Sequence, residues 1–266
     1  MTRVRRASWL TSEFRSSTDA VVGQFRSWDD YFIPGTSVLR NRLGFTSVDE
    51  LLAAELKLSG NRIVGLALQP VVGEFDLDHL CEVHRRIFHS VYVWAGQIRV
   101  GPEGRMSKTA PDILHFAPGD PAAPLIPYDY FQAGPELVRY VQSQLAALDG
   151  LGRRSHGLTD ELVGDLAEVW SELNVAHPFR EGNTRTQLVF FFQWLALRGM
   201  TLDLATLAPG GTHRQAFIEA RFHAQGSGHS RRLADVLGDL ISPIPPSREH
   251  RIRLHRNLGH PPAHGL

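Results

Sequence analysis

The sequence predicts a mainly α-helical protein, and three observations carry that prediction. Apolar residues recur every three or four positions along several segments, no run alternates apolar and polar side chains as a half-buried strand would, and no internal repeat is present. The chain has 266 residues. That length supports one large domain or two small ones with a core that needs no disulfide or metal to hold it together.

The elements follow in order. Residues 1–28 are polar, rich in Ser, Thr and Arg, and lack a sustained apolar period, so they read as a loosely attached leader. Pro34-Gly35 signals a turn, and Thr36 to Leu43 reads as a short helix closed by Gly44. Ser47 with Asp49 and Glu50 offers a helix start, after which Leu51, Leu52, Leu56, Ile63 and Leu66 keep helical spacing. Phe75 to Tyr92 reads as an amphipathic helix on Leu77, Leu80, Val83, Ile87, Phe88 and Val91, with Gly96 beyond it. From Ile98 to about Tyr130 glycine and proline crowd in, which forbids a long helix and favours a loop or short hairpin. A stretch of that length inside a domain is usually functional. Helices resume at Pro135 to Leu148, Asp160 to Ala176 and Thr184 to Arg198, the last apolar on every face and therefore expected to be central and buried. Two more are expected around Arg214 to His223 and Leu233 to Ile241. The domain is expected to span 29–245, with a basic, His-rich tail over 246–266.

Composition removes several functions. Twenty-eight Lys and Arg balance 28 Asp and Glu, so no global field holds nucleic acid or an anionic membrane. The lone cysteine, Cys81, excludes an internal disulfide or a multi-cysteine zinc module. The longest apolar run, near Leu188 to Leu197, is far short of the roughly 20 residues of a membrane span. The basic start is not followed by the apolar core of a secretory signal. These features predict a cytoplasmic protein, or one delivered as an effector. Only two lysines, Lys57 and Lys108, stand beside 26 arginines; GC-rich coding accounts for the bias, but it makes Lys108 conspicuous.

Chemistry concentrates between two helices, in His177-Pro178-Phe179-Arg180-Glu181-Gly182-Asn183-Thr184-Arg185. Proline and glycine separate the helices and leave a short loop, with Asn183 placed to cap the buried helix that follows. A buried helix N-terminus presents unpaired N–H groups and partial positive charge, and Gly182 lets an anion approach the backbone closely. Arg185 adds a cationic fork, and Glu181 a carboxylate suited to Mg2+ carried on phosphates. His177 is the group whose pKa suits taking a proton from a hydroxyl near neutral pH. Each feature alone is ordinary: a His before Pro is commonly a cap or core residue, and Gly-Asn commonly a turn. Their joint occurrence in one loop points to phosphate chemistry.

The segment resembles the motif of the Fic family, which reads His-Pro-Phe, any residue, Asp or Glu, Gly-Asn-Gly-Arg, two residues, Arg. Further segments look like the same family: Tyr31-Phe32-Ile33-Pro34-Gly35-Thr36 with Leu39, Asn41, Leu43 and Gly44; Leu80, His84, Ile87, Phe88, Val91, Tyr92, Trp94, Ala95 and Gly96; Ser107-Lys108 and Phe116-Ala117; Glu172-Leu173-Asn174; and Phe217 to Ala220. Together they cover about residues 29 to 242. The resemblance implies an all-α Fic fold, a helical bundle with a small β-hairpin flap, and a protein adenylyltransferase that moves AMP from ATP to a Tyr, Thr or Ser hydroxyl of a target protein. By position, it implies that His177 deprotonates the hydroxyl, Glu181 holds Mg2+, and Gly182 and Asn183 form the anion hole. It further implies that Thr184 and Arg185 lie at the phosphates, Phe179 anchors the loop, and Ser107, Lys108 and Phe116 belong to a flap that docks the target by strand addition.

Two positions depart from the motif: Thr184 replaces its second glycine and Leu188 its second arginine. The missing arginine should weaken ATP binding by about 1.5–3 kcal/mol unless another cation substitutes. Variation at the second glycine accompanies other chemistry in the family, including the phosphorylating Doc branch. The alternatives are therefore a Fic-type transferase using another donor group, or a catalytically weak Fic-fold binding module. The family's inhibitory signature, Ser or Thr, three residues, then Glu followed by Gly or Asn, is absent from the chain. The resemblance accordingly suggests either a separate antitoxin as inhibitor, or that the missing arginine makes this mode irrelevant because the inhibitory glutamate would have no partner; it suggests a DNA topoisomerase as the kind of target its bacterial toxin members modify.

Overall fold

The helix starts are set by short side chains that accept from the first turn. In the computed structural model, which describes residues 25–155 and 157–244, Ser47 begins α1 (Val48–Leu68) by accepting from the Glu50 N–H. Asp76 begins α2 (Leu77–Phe88) by accepting from His79 at 2.9 Å. Pro135, needing no N–H partner at a first position, opens α3 (Pro135–Arg154). Thr159 begins α4 (Asp160–Ala176) by accepting from Leu162 at 3.1 Å. Each such cap contributes about 1 kcal/mol. The helical series continues with α5 (Asn183–Ala196), α6 (Arg214–Ser227) and α7 (Arg231–Leu240).

The strands are few. The hairpin of β1 (Met106–Pro111) and β2 (Leu125–Tyr130) is antiparallel, with Met106 opposite Tyr130 and Pro111 opposite Leu125. A second small pair joins β3 (Met200–Leu202) to β4 (Ile241–Pro243) and ties α5 to the end of α7. This pair left no signal in the sequence, because three-residue strands are too short to show a period. The all-α class with a small hairpin holds.

α5 is central, as its uniformly apolar sequence predicts. Val189, Phe190, Phe191, Trp194 and Leu195 are buried. Trp170 of α4 stacks on Phe191 at 4.1 Å, and Phe75 and His79 close on Phe190 from the other side. α1 and α2 pack against one flank of α5, while α4 packs against α3, α6 and α7. β2 lies against α4 and α6, which puts the hairpin beside the C-terminal end of α4.

Three expectations change. Residues 36–44 form no helix: Asn41 donates to the Leu39 and Phe45 carbonyls and accepts from the Leu43 and Phe45 N–H groups, so its amide organises a loop in place of helical bonds. α2 stops at Phe88, not near Tyr92, and the following turns still bury Val91, Tyr92 and Trp94. Phe25 is buried and stacks on Tyr31 at 5.0 Å, with Trp28 edge-on to the same ring, so the packed domain reaches back into the span read as leader. The remainder of that leader, residues 1–24, and the tail from 245 lie outside the described residues.

Candidate active site

α4 ends in His177, which adopts a left-handed conformation at φ 46° and ψ 58°. Such a conformation costs a non-glycine residue roughly 1–2 kcal/mol, so the surroundings must impose it. Arg99 does so. Its side chain is buried and donates to the carbonyls of His177 at 2.7 Å and Gly101 at 2.8 Å, and to those of Phe131 and Ala176. Its own N–H donates to the Pro178 carbonyl at 2.8 Å. One guanidinium thereby ties the hairpin's end, the end of α4 and the motif loop together.

The loop is fixed from inside by Asn183 and His84. Asn183, expected to cap α5, is its first residue, and its side chain turns back on the loop: Oδ1 accepts from the Phe179 N–H at 2.9 Å and Nδ2 donates to the Phe179 carbonyl at 2.7 Å. Phe179 is buried as expected, its ring stacked on the His84 imidazole at 3.9 Å. Gly96 N–H donates to His84 Nδ1 at 2.7 Å, which makes Nε2 the donor to the Glu181 carbonyl at 3.0 Å. Complete burial pushes the His84 pKa down to about 3 and keeps the ring neutral.

The head of α5 is left open. Gly182 occupies the position before the helix at φ +81°, and no side chain caps the first turn, whose N–H groups have no partner within the helix. A Cβ on Gly182 would lie 2.3 Å from the Phe88 ring, so only glycine lets the backbone run this close to α2. A helix head left open by positive φ and close packing is the kind of backbone that can cradle an anion.

Two side chains of the motif bring charge to that helix head. Glu181 is half-exposed; Oε1 accepts from the Gly182 N–H at 2.9 Å and lies 3.8 Å from Arg185, and its other oxygen has no hydrogen-bond partner among the described residues. Among those residues no cluster of three or more His, Cys, Asp or Glu could hold a metal by itself. Glu181 nevertheless fits Mg2+, which is commonly held by one or two carboxylates with water and substrate phosphates completing its shell. Arg185 reaches the loop already neutralised: it pairs with buried Glu55 of α1, donates to Ser59 Oγ at 2.8 Å, and lies over the Phe88 ring. Glu55 also accepts from the Tyr92 hydroxyl.

Thr184 and Leu188, the two departures, diverge in setting. Leu188 packs half-buried against the core. Thr184 Oγ1 accepts from Arg221 Nη1 at 2.9 Å, and Arg221 Nη2 donates to Asn174 Oδ1. Arg221 stands on α6 and is buried beside the Phe217 ring.

His177 itself lies under Tyr130 of β2, with ring centroids 3.9 Å apart. Burial lowers its pKa well below the usual 6.5, and the positive charges of Arg221, Arg99 and Lys108 push it the same way. Only the Asn174 carbonyl opposes the shift, with geometry too poor to give the buried Nδ1 a proper hydrogen-bond partner. The imidazole is therefore an uncharged proton acceptor at neutral pH.

Ser107 and Lys108 are exposed on β1, whose outer edge has no strand neighbour among the described residues. Phe116 lies beyond the strand, half-buried in the connection to β2. The structure thus brings together His177, Phe179, Glu181, Gly182, Asn183, Thr184 and Arg185, with Lys108 near enough to act on His177, while Phe116 stands apart. Arg99, Arg221, Glu55 and Tyr130 carried no sequence signal as site residues; their roles arise only when distant segments meet.

A family description, Fic/DOC family, matches residues 74–195. The "Probable protein adenylyltransferase Fic" of Salmonella typhimurium is 30% identical over 180 residues, covering 68% of this chain and 78% of that protein. The "Protein adenylyltransferase" of Bartonella henselae is 28% identical over 235 residues, covering 86% of this chain; this chain spans only 39% of that longer protein. Among solved structures, the BepC protein of Bartonella tribocorum, a VirB-translocated effector with bound AMPPNP, matches with a TM-score of 0.64 at 22% identity, over 82% of this chain and 98% of that one. With a relative at this identity and coverage, the chain belongs to the Fic/DOC family.

Proposed function

We propose that this chain is a protein adenylyltransferase, transferring AMP from ATP to a side-chain hydroxyl of another protein. The observation that carries the reading is an imidazole held neutral beside an uncapped helix head with glycine at its entrance. His177 takes the hydroxyl proton as the oxygen attacks the α-phosphorus; the bond from that phosphorus to the bridging oxygen breaks, and pyrophosphate leaves with the electron pair. Nδ1 is the buried nitrogen, so Nε2 receives the proton. The first-turn N–H groups of α5 hold the phosphate oxygens where negative charge develops, and Gly182 lets those oxygens approach the backbone closely. Glu181 would hold Mg2+, which when bound neutralises phosphate charge and orients the leaving group.

The catalytic unit is residues 29–245, together with Phe25 to Trp28 packed on it. Ser107 and Lys108, on the free edge of β1, dock the target backbone as an added strand; Phe116 lies off that edge and contributes less. A Tyr, Thr or Ser residue is the acceptor. A DNA topoisomerase as target and a separate antitoxin as inhibitor are the partners the resemblance suggests, and the cytoplasm is the proposed site of action. Among the described residues no helix is long and apolar enough to cross a membrane. One observation favours a second reading: Thr184 fills the second glycine of the cradle, which suits a shifted nucleotide and transfer of the terminal phosphoryl group.

The test is mass spectrometry of acceptor proteins after incubation with ATP and Mg2+. An adenylyl ester on a hydroxyl residue, absent with His177→Ala, is expected; a bare phosphoryl group on that residue establishes the second reading instead.

A further inference from the structure

Arg221, on α6, brings to the head of α5 a charge that no carboxylate among the described residues balances. Arg185 meets Glu55 and Glu181, whereas among the described residues no carboxylate lies within ion-pair distance of Arg221. Its partners, Thr184 Oγ1 and Asn174 Oδ1, are neutral, and Nε is buried without any partner. Only 7% of the residue is exposed. Removing a guanidinium from water without a counter-ion is costly, and a fold that does so beside a helix head with free N–H groups is prepared for an anion. Burial also lowers the Arg221 pKa to about 10, which leaves it fully charged at neutral pH.

We propose that Arg221 is the phosphate-reading cation of this site, held against the cradle by Thr184 and supplying from α6 the charge that Leu188 cannot supply from α5. The ligand class is a polyphosphate, such as the phosphate chain of a nucleoside triphosphate. The two departures from the motif then belong together. Thr184 provides the hydroxyl that orients the guanidinium, and Arg221 provides the charge. Leucine at 188 packs against the core because no charge is needed there. The inference rests on the proposed nucleotide chemistry for its biological meaning, but the anion site itself is testable without any transfer.

The experiment is calorimetric titration of the full chain and of Arg221→Gln and Arg221→Lys with inorganic tripolyphosphate and, separately, with adenosine, alongside thermal unfolding of each variant. Arg221→Gln should bind tripolyphosphate about 10- to 100-fold more weakly. Arg221→Lys should recover part of that loss, and adenosine affinity should not change. Unaltered tripolyphosphate binding in Arg221→Gln overturns the proposal. So does absence of tripolyphosphate binding by the parent chain, or equal weakening of both probes with a lowered unfolding midpoint, which marks a structural arginine. A chain that transfers AMP while Arg221→Gln binds tripolyphosphate normally keeps the function and loses this inference. Arg221-dependent binding without any transfer does the reverse.

Discussion

Arg99 Nε donates to the carbonyl oxygen of His177 at 2.7 Å, and that contact holds the proposed base in its left-handed turn. The same guanidinium serves carbonyls from the hairpin and from α4, so its loss leaves several buried acceptors unpaired at once. Arg99→Met should destabilise the protein by on the order of 3 kcal/mol and lower kcat through misplacement of the imidazole. Denaturant unfolding with steady-state rates checks both; an unchanged kcat in folded protein contradicts the positioning role.

The pH dependence has a definite sign. His177 acts as a base only when unprotonated, and burial with three nearby cations holds its pKa below 6.5. The acid limb of kcat/KM should therefore lie below pH 6.5. Removing positive charge with Arg221→Gln stabilises the imidazolium and should move that limb to higher pH. A limb at or above 6.5 in the parent chain contradicts the assignment.

Stability responds to the same physics. His84 binds its proton near pH 3 in the folded state and near 6.5 when unfolded, so between those values the unfolded chain holds more protons. Stability should be full above about pH 6.5 and fall as pH drops through that window. Thermal midpoints at pH 7 and 5 measure it, and His84→Gln, which donates and accepts but does not protonate, should make the slope shallower.

Gly182 leaves no room for a side chain. Gly182→Ala meets both the positive φ and the Phe88 ring, and should cost about 2–4 kcal/mol while weakening tripolyphosphate binding. Calorimetry and unfolding of this variant check the close approach; parent-like values for both contradict it.

Much of the fold was legible because its signals are local. The Ser47 cap, the periodic apolar residues of α4 and the breakers at Pro178 and Gly182 place the helices within a few residues, and they place the motif loop between two of them. Asn41 misled, since a segment with helical residues and a closing glycine looks helical until its amide takes the backbone bonds. The head of α5 was legible as a candidate anion site from Gly182, Asn183 and Arg185 taken together. The charge balance around it was not. Arg185 is neutralised by Glu55, 130 positions away, and Arg221 reaches Thr184 across 37; no spacing rule links residues so far apart.

Leu188 and Arg221 should be coupled if one charge replaces the other. Leu188→Arg should strengthen tripolyphosphate binding more in the Arg221→Gln background than in the parent chain, with a coupling free energy on the order of 1 kcal/mol. Additive effects contradict the exchange.

The position of a radiolabel tests the central claim most directly. With ATP labelled at the α-phosphate or the γ-phosphate, a protein acceptor and Mg2+, adenylyl transfer predicts protein-bound label from the α position only, lost in His177→Ala. Label from the γ position only, or α label that persists in His177→Ala, would contradict it.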